Sequence, residues 1–297
     1  MSTYGETLIE LEEQLKNGDY KQADLSLFDN IRNLEISKDV LELEKFVLES
    51  YQEYLEHIKN LPTEIKPLFL KALKNEEVVA SHSLEKVNPF TISLYMLAKK
   101  KPALDRLLEI DGSLKSSDFK RIHYKLLENT PSSEEEIKYR DTNNLFVGYY
   151  VDNKRIIEYV PIDYKLIPKA VLEFLTFYNQ KETNYEYAFL KCFIIHGLLS
   201  GLQIFRDGNT RFARMLQHVD FYKNTKEFID KDLELPALYT SKTYYPYRSQ
   251  YRELIKQIVL ENNDEIWNKW FIFNYHRFED QIRINEENIK SLMKTLR

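Results

Sequence analysis

The chain has 297 residues, 43% hydrophobic and 30% charged, with seven glycines, nine prolines and a formal net charge of −5. That length buries one large core plus an appended module, and the scarcity of glycine and proline favours a mostly helical protein. The acidic balance argues against nucleic acid as a partner, since that task needs a basic footprint, and no run reaches the roughly 18 uncharged apolar residues of a membrane span.

In chain order, Met1 to Gly18 is polar and acidic, with no apolar signal core. The stripe Val40, Leu43, Val47, Tyr51, Tyr54 and Ile58 predicts an amphipathic helix facing its own domain, and Pro62 closes that segment. Residues 1–68 are expected to form a helical module. The run Glu76 to Lys86 is helix-forming, and Lys99-Lys100-Lys101 before Pro102 reads as a solvated helix end. A further helix is expected from Asp111 through Phe119, Ile122, His123, Leu126 and Leu127. Glu134-Glu135-Glu136 after Ser132-Ser133 reads as a capped first turn. Leu145 to Val151, a polar turn at Asp152-Asn153-Lys154, and Arg155 to Val160 predict one hairpin. A lone two-stranded hairpin on a helical body leaves an edge open for pairing. Tyr185 to Leu202 is apolar on nearly all sides and predicts a buried helix. Its cysteine, Cys192, is the only one in the chain, which excludes a disulfide framework or thiolate metal site and fits a reducing, cytoplasmic setting. The expected fold class is all-α with one small β-hairpin, organised as 1–68, a core over 69–275, and a polar amphipathic helix over 276–297.

The segment Gln203-Ile204-Phe205-Arg206-Asp207-Gly208-Asn209-Thr210-Arg211-Phe212-Ala213-Arg214 carries the chemistry. Asp207-Gly208-Asn209 is turn chemistry, and Phe212, Met215, Leu216, Val219 and Tyr222 place a second helix starting near Thr210. Arg211 and Arg214 in its first turn conflict with the positive end of the helix dipole, at a cost of up to roughly 1 kcal/mol each. An anion between arginines and amides removes the conflict, and Asp207 is a hard oxygen ligand placed for a magnesium ion bound partly through phosphates. The other reading is a Thr- or Asn-capped helix whose arginines point into solvent.

This segment resembles the signature loop of the Fic (Fic/Doc, protein AMPylation) family, His-Pro-Phe-x-Asp/Glu-Gly-Asn-Gly-Arg-x-x-Arg. Phe205, Asp207, Gly208, Asn209, Arg211 and Arg214 stand in their places. Tyr139-Arg140, Leu145 to Gly148 and Glu158 to Pro161 resemble the flap hairpin and its flanks. Leu235 to Tyr239, Ser241, Arg248, Tyr251, Leu254, Trp270 and Phe271 follow the C-terminal pattern, so the resemblance covers roughly 70–297. It implies a mainly helical Fic fold, ATP and magnesium as ligands, nucleotide contacts at Phe205, Gly208, Asn209, Thr210, Arg211 and Arg214, and metal at Asp207. It also implies a target protein docking at the flap by strand addition, and it leaves homodimer formation open.

Residues 76–86 resemble the Ser/Thr-x-x-x-Glu-Gly/Asn inhibitory helix of Fic proteins. Carried over by position, Ser81 and Glu85 belong to it, Glu85 pairs with Arg214, and Lys86 departs from the usual Gly or Asn. Gln203 stands where the family's histidine takes the proton of the target hydroxyl. An amide has no pKa near neutrality, and general-base assistance contributes about 10²–10⁴-fold in rate. Thr210 replaces the second glycine, so a nest needing positive φ there is expected to be reshaped. Ile204 replaces proline and keeps an apolar contact. His196 and His218 are too distant along their helices to replace the base, and His57, His82, His123 and His276 lack partner spacing. Three readings stay open: an active nucleotidyl transferase, a degenerate nucleotide binder, and an interaction scaffold.

Overall fold

The computed structural model describes residues 4–85, 103–110, 112–127, 138–152, 154–180, 188–226 and 233–295. Among the expectations above, those on Lys86, Lys99 to Lys101, Asp111, Ser132 to Glu136, Asn153, Tyr185 and Tyr187 fall outside the described residues. The helices are α1 (Tyr4–Asn17), α2 (Ser26–Ile31), α3 (Lys38–Lys59), α4 (Ile65–Leu84), α5 (Ala103–Leu108), α6 (Ser116–Leu127), α7 (Ile167–Tyr178), α8 (Ala188–Leu202), α9 (Asn209–Lys226), α10 (Ser241–Tyr244), α11 (Arg248–Leu260) and α12 (Asp264–Thr295). Strands β1 (Val147–Val151) and β2 (Lys154–Tyr159) make one antiparallel hairpin. Among the described residues the fold is mainly helical with a single small sheet. No described helix is long and apolar enough to cross a membrane.

The apolar circumference of α8 explains its place. Phe189, Leu190, Phe193, Ile195 and Leu198 are all buried, as an all-round hydrophobic helix requires. Gly197 and Gly201 let neighbours close in, since a Cβ at Gly197 would lie 2.9 Å from Trp267 and one at Gly201 2.9 Å from Val259. α9 packs along α8, and α12 lies against α3, α8, α10 and α11. Ser37 caps α3, accepting from the Val40 amide at 3.4 Å. Below that cap the predicted stripe is buried at Val40, Val47, Tyr51, Tyr54 and Ile58, while Leu43 packs half-buried against it.

Neither expected domain boundary coincides with a break in the fold. Residues 68 and 69 lie inside α4, and 275 and 276 lie inside α12, a continuous helix of 32 residues. Tyr51 of α3 meets Phe189 of α8 edge-on at 6.5 Å and Phe221 of α9 at 5.1 Å. Burying the α3 stripe requires the central helices, so residues 38–59 share the main core instead of closing one of their own.

The hairpin register shifts between Val147 and Gly148. Gly148 is needed there, because a Cβ would sit 2.0 Å from the Ile156 carbonyl oxygen. Past the end of β2 the segment 21–23 runs parallel to Val160: the Ala23 amide donates to Val160 O at 2.9 Å and the Val160 amide to Lys21 O at 3.0 Å. Arg252 of α11 donates to Gly148 O at 3.3 Å and reaches Glu158 at 3.8 Å, holding both strands at the base of the hairpin.

Candidate functional site

The loop between α8 and α9 is held in place from three sides. Gln203 ends α8 with left-handed backbone (φ 53°), a helix-stop conformation that glycine usually supplies. The Arg140 amide donates to Ile204 O at 3.1 Å, and its buried guanidinium reaches Gln203 O at 3.4 Å, Asn143 Oδ1 at 3.3 Å, and the carbonyls of Thr142 and Ile162. Asn209 closes the loop on itself. Its Oδ1 accepts from the Phe205 amide at 2.8 Å, and its Nδ2 donates to Phe205 O at 2.9 Å and Gln203 Oε1 at 3.0 Å. Ile204 and Phe205 are buried beneath, so the apolar contact expected of Ile204 is made.

Two residues carry left-handed backbone in this loop: Gln203 and Gly208, the latter with φ 74°. Thr210 does not. It is the second residue of α9, where its β-branch meets ordinary helical backbone, so the reshaping expected from a non-glycine residue at this position does not arise. The helix begins at Asn209, one residue before the sequence estimate.

The loop forms one wall of a cavity of about 310 Å³, whose lining includes Gln203, Asp207, Gly208, Thr210 and Arg211. The flap contributes Phe146, Gly148 and Glu158, α4 and its C-cap contribute Leu84 and Glu85, and α11 contributes Arg248, Tyr251 and Arg252. The N-termini of α9 and α11 therefore converge on one space that is rich in arginine. Of the α11 side, the resemblance includes Arg248 and Tyr251 without giving them a place in the site, and no turn or charge pattern distinguishes Arg252 from a solvated face.

Both loop arginines are buried, against the reading that sends them into solvent: Arg211 is 3% and Arg214 0% exposed. Arg211 Nη2 lies 3.2 Å from Asp207 Oδ2, and its Nε and Nη1 are buried with no acceptor among the described residues. Arg214 turns toward α4. It donates to Glu85 Oε1 at 2.9 Å, Ser81 O at 2.9 Å, Ser81 Oγ at 3.1 Å and the Tyr251 hydroxyl at 3.2 Å. Gln203 is committed locally, with Nε2 donating to Ser200 O at 2.7 Å while Oε1 accepts from Asn209.

Behind the arginines, buried Glu77 accepts from the Ser241 hydroxyl at 2.5 Å and amide at 3.1 Å, and lies 3.6 Å from His218 Nδ1. Burial pushes its carboxyl up to about 7, against the opposing pull of the Ser241 bond and Arg214. Burial also lowers His82 and His123 to about 4 each. His196 is buried at 2.7 Å from the Tyr251 hydroxyl, which lies far away in sequence. His123, without partner spacing in the sequence, lies directly under the loop. Its ring stacks on Phe205 (3.5 Å, 3°) and its Nε2 is 2.7 Å from Asp207 O. The available signal was its place on the buried face of α6, next to Ile122 and one turn from Leu126 and Leu127.

A Fic/DOC family model matches residues 113–219, which hold α6, the hairpin, α7, α8, the loop and most of α9. Among solved structures the chain is similar to a Fic family protein from Desulfovibrio desulfuricans G20, at 14% identity and TM-score 0.62, over 86% of this chain and 76% of that one. It is also similar to Fic-1 (residues 134–508) from C. elegans, at 13% identity and TM-score 0.55, over 83% of this chain and 71% of that one. No curated protein matches the chain by sequence. At these identities the structural likeness is one of fold. Residues 113–219 thus match the Fic/DOC family model, within a mainly helical fold shared with solved Fic proteins.

Proposed function

We propose that the cavity binds a nucleotide through its phosphates, with ATP and magnesium as the favoured pair. The protein is related on this reading to enzymes that transfer AMP from ATP to a protein Ser, Thr or Tyr hydroxyl, with transfer weakened or lost. The observation that carries it is Arg211, a buried cation in the first turn of α9 with two nitrogens lacking an acceptor among the described residues. Two buried guanidinium nitrogens left over after the pairing with Asp207, and a helix N-terminus, both favour an anion at this place.

Asp207 fits magnesium. Its carboxylate is half exposed at the cavity (49%), and no cluster of three or more acidic, His or Cys ligands exists among the described residues. That matches an ion held by one carboxylate and the nucleotide's own phosphates, which would neutralise phosphate charge when bound. In the transfer step a target hydroxyl oxygen bonds to the α-phosphorus, the bond to the bridging oxygen breaks, pyrophosphate leaves, and the hydroxyl proton must be taken up. Gln203 cannot accept it, and both ends of its amide are engaged. Glu85 would act as a brake by occupying Arg214, the cation next along the helix from Arg211. The exposed Tyr149, Tyr150 and Val151 on β1 give a target protein an apolar strand edge to pair with.

Titrating Mg-ATP into the protein and into Arg211→Ala tests the site: loss of affinity in the variant is expected, and equal affinity overturns it. Intact-mass analysis of Glu85→Ala with Mg-ATP, with and without Gln203→His, tests the chemistry. An AMP adduct only with histidine is expected, and an equal adduct with Gln203 retained overturns the loss of transfer.

A further inference from the structure

The family match and the loop motif leave His123 without a task, yet its geometry is tightly specified. It lies on α6, 5% exposed, with its ring flat on Phe205 and edge-on to Phe212 at 5.6 Å. Because its partner at 2.7 Å is the carbonyl oxygen of Asp207, which can only accept, Nε2 carries the proton.

A trans peptide points its carbonyl and its amide N–H in opposite directions, and no cis bond occurs among the described residues. Fixing the Asp207 oxygen against α6 therefore turns the Gly208 N–H away from α6. That N–H is taken up by Asp207 Oδ1 at 2.6 Å, and Asp207 and Gly208 both line the cavity. The opposite arrangement is within reach of the backbone. Gly208 has φ 74°, and glycine passes between the two hands of backbone at little cost. A turned peptide would aim a carbonyl at the phosphates where an amide is wanted.

We infer that His123 is a positioning residue: its Nε2–H pins the Asp207 carbonyl so that the Asp207–Gly208 peptide keeps its amide, not its oxygen, on the cavity side, where that amide holds Asp207 Oδ1 until an anion displaces it. The inference rests on the phosphate-binding reading above. His123 touches no reacting atom and acts only through the peptide it orients.

Two variants separate this role from packing. His123→Phe keeps the aromatic ring on Phe205 and removes the donor. His123→Gln removes the ring and places an amide N–H near the original Nε2. Mg-ATP affinity is measured by equilibrium titration beside the thermal midpoint. Loss of one hydrogen bond from a buried acceptor predicts about a tenfold weaker Kd for the Phe variant. The Gln variant is expected within about threefold of wild type despite a lower midpoint. A Phe variant that binds as tightly as wild type, or affinities that simply follow the midpoints, overturns the inference. Wild-type protein without Mg-ATP affinity overturns the phosphate reading instead. Amide exchange at Gly208 then decides the role of His123. Faster exchange in Phe than in Gln supports it, and equal exchange in the two removes it.

Discussion

Replacing Glu85 by alanine removes one of the acceptors that hold Arg214, and the geometry sets the scale of the effect. The Arg214 side chain is 0% exposed, while that of Glu85 keeps 32% of its surface. Stripping a fully buried ion of its only partner costs roughly 3–5 kcal/mol, and an exposed pair contributes about 0–1 kcal/mol. This pair falls between, because the guanidinium retains Ser81 O, Ser81 Oγ and the Tyr251 hydroxyl. The expected loss is about 1–2 kcal/mol, or a midpoint lowered by about 2–6 °C for a chain of this size. Ligand should reverse the order. With Nη1 released to meet a terminal phosphate, the variant binds Mg-ATP more tightly, and ligand at 100 times Kd adds about 2.7 kcal/mol. Thermal unfolding with and without Mg-ATP reads both effects: the variant melts below wild type alone and gains more from nucleotide. A variant that melts lower but gains no more than wild type refutes the brake. One that melts at the wild-type temperature without ligand refutes the energetic estimate.

Three further outcomes follow from the geometry. Gly208→Ala would put a Cβ 2.8 Å from Leu127 Cδ2 at φ 74°, so denaturant unfolding should show a loss of about 1–3 kcal/mol. Tyr251→Phe deprives both His196 and Arg214 of a buried hydroxyl, for an expected loss of about 1–3 kcal/mol at unchanged m-value. Stability should also fall with acid. His82 and His218, lowered by burial from 6.5 to about 4 and about 3, each contribute stability that is present above 6.5 and lost as pH falls toward those values. Glu77, raised by burial from 4.5 to about 7, contributes in the opposite sense, with stability present below 4.5 and lost as pH rises through about 7. These histidines, with His123 and His196 lowered by burial in the same sense, outweigh one carboxyl between pH 6.5 and 4, so midpoints drop on acidification. Glu77→Gln removes the opposing contribution and steepens the fall; a shallower profile in that variant refutes this balance.

What the sequence disclosed, it disclosed through periodicity and turn chemistry. The stripe on α3, the all-round apolar α8 and the hairpin are each a local pattern, and the structure contains all three. The burial of Arg211 and Arg214 was open in the sequence, since a first-turn arginine looks the same whether it faces solvent or a neighbouring helix. The backbone of the loop was misread at Thr210 because left-handed φ is set by where α8 stops and α9 begins. Those points fall at Gln203 and Gly208, and glutamine carries no signal for that conformation. His123 was passed over because its partner is a main-chain carbonyl 84 residues away. Pro62 marks the end of a helix, but a helix end is not a gap in the core, and residues 68 and 69 lie inside α4.

The hydroxyl of Tyr54 accepts from Asn285 Nδ2 at 3.0 Å across 231 residues of chain. That single bond summarises how α3 is covered: its apolar face waits for α12. At synthesis rates of about 5–20 residues per second, the interval is on the order of 10–50 s. Val40, Val47, Tyr51 and Ile58 would stay uncovered by that helix throughout. A nascent chain therefore carries this apolar stripe uncovered by α12 until residues 264–295 have been made, so translation products interrupted between the two helices should aggregate more readily than chains that include α12.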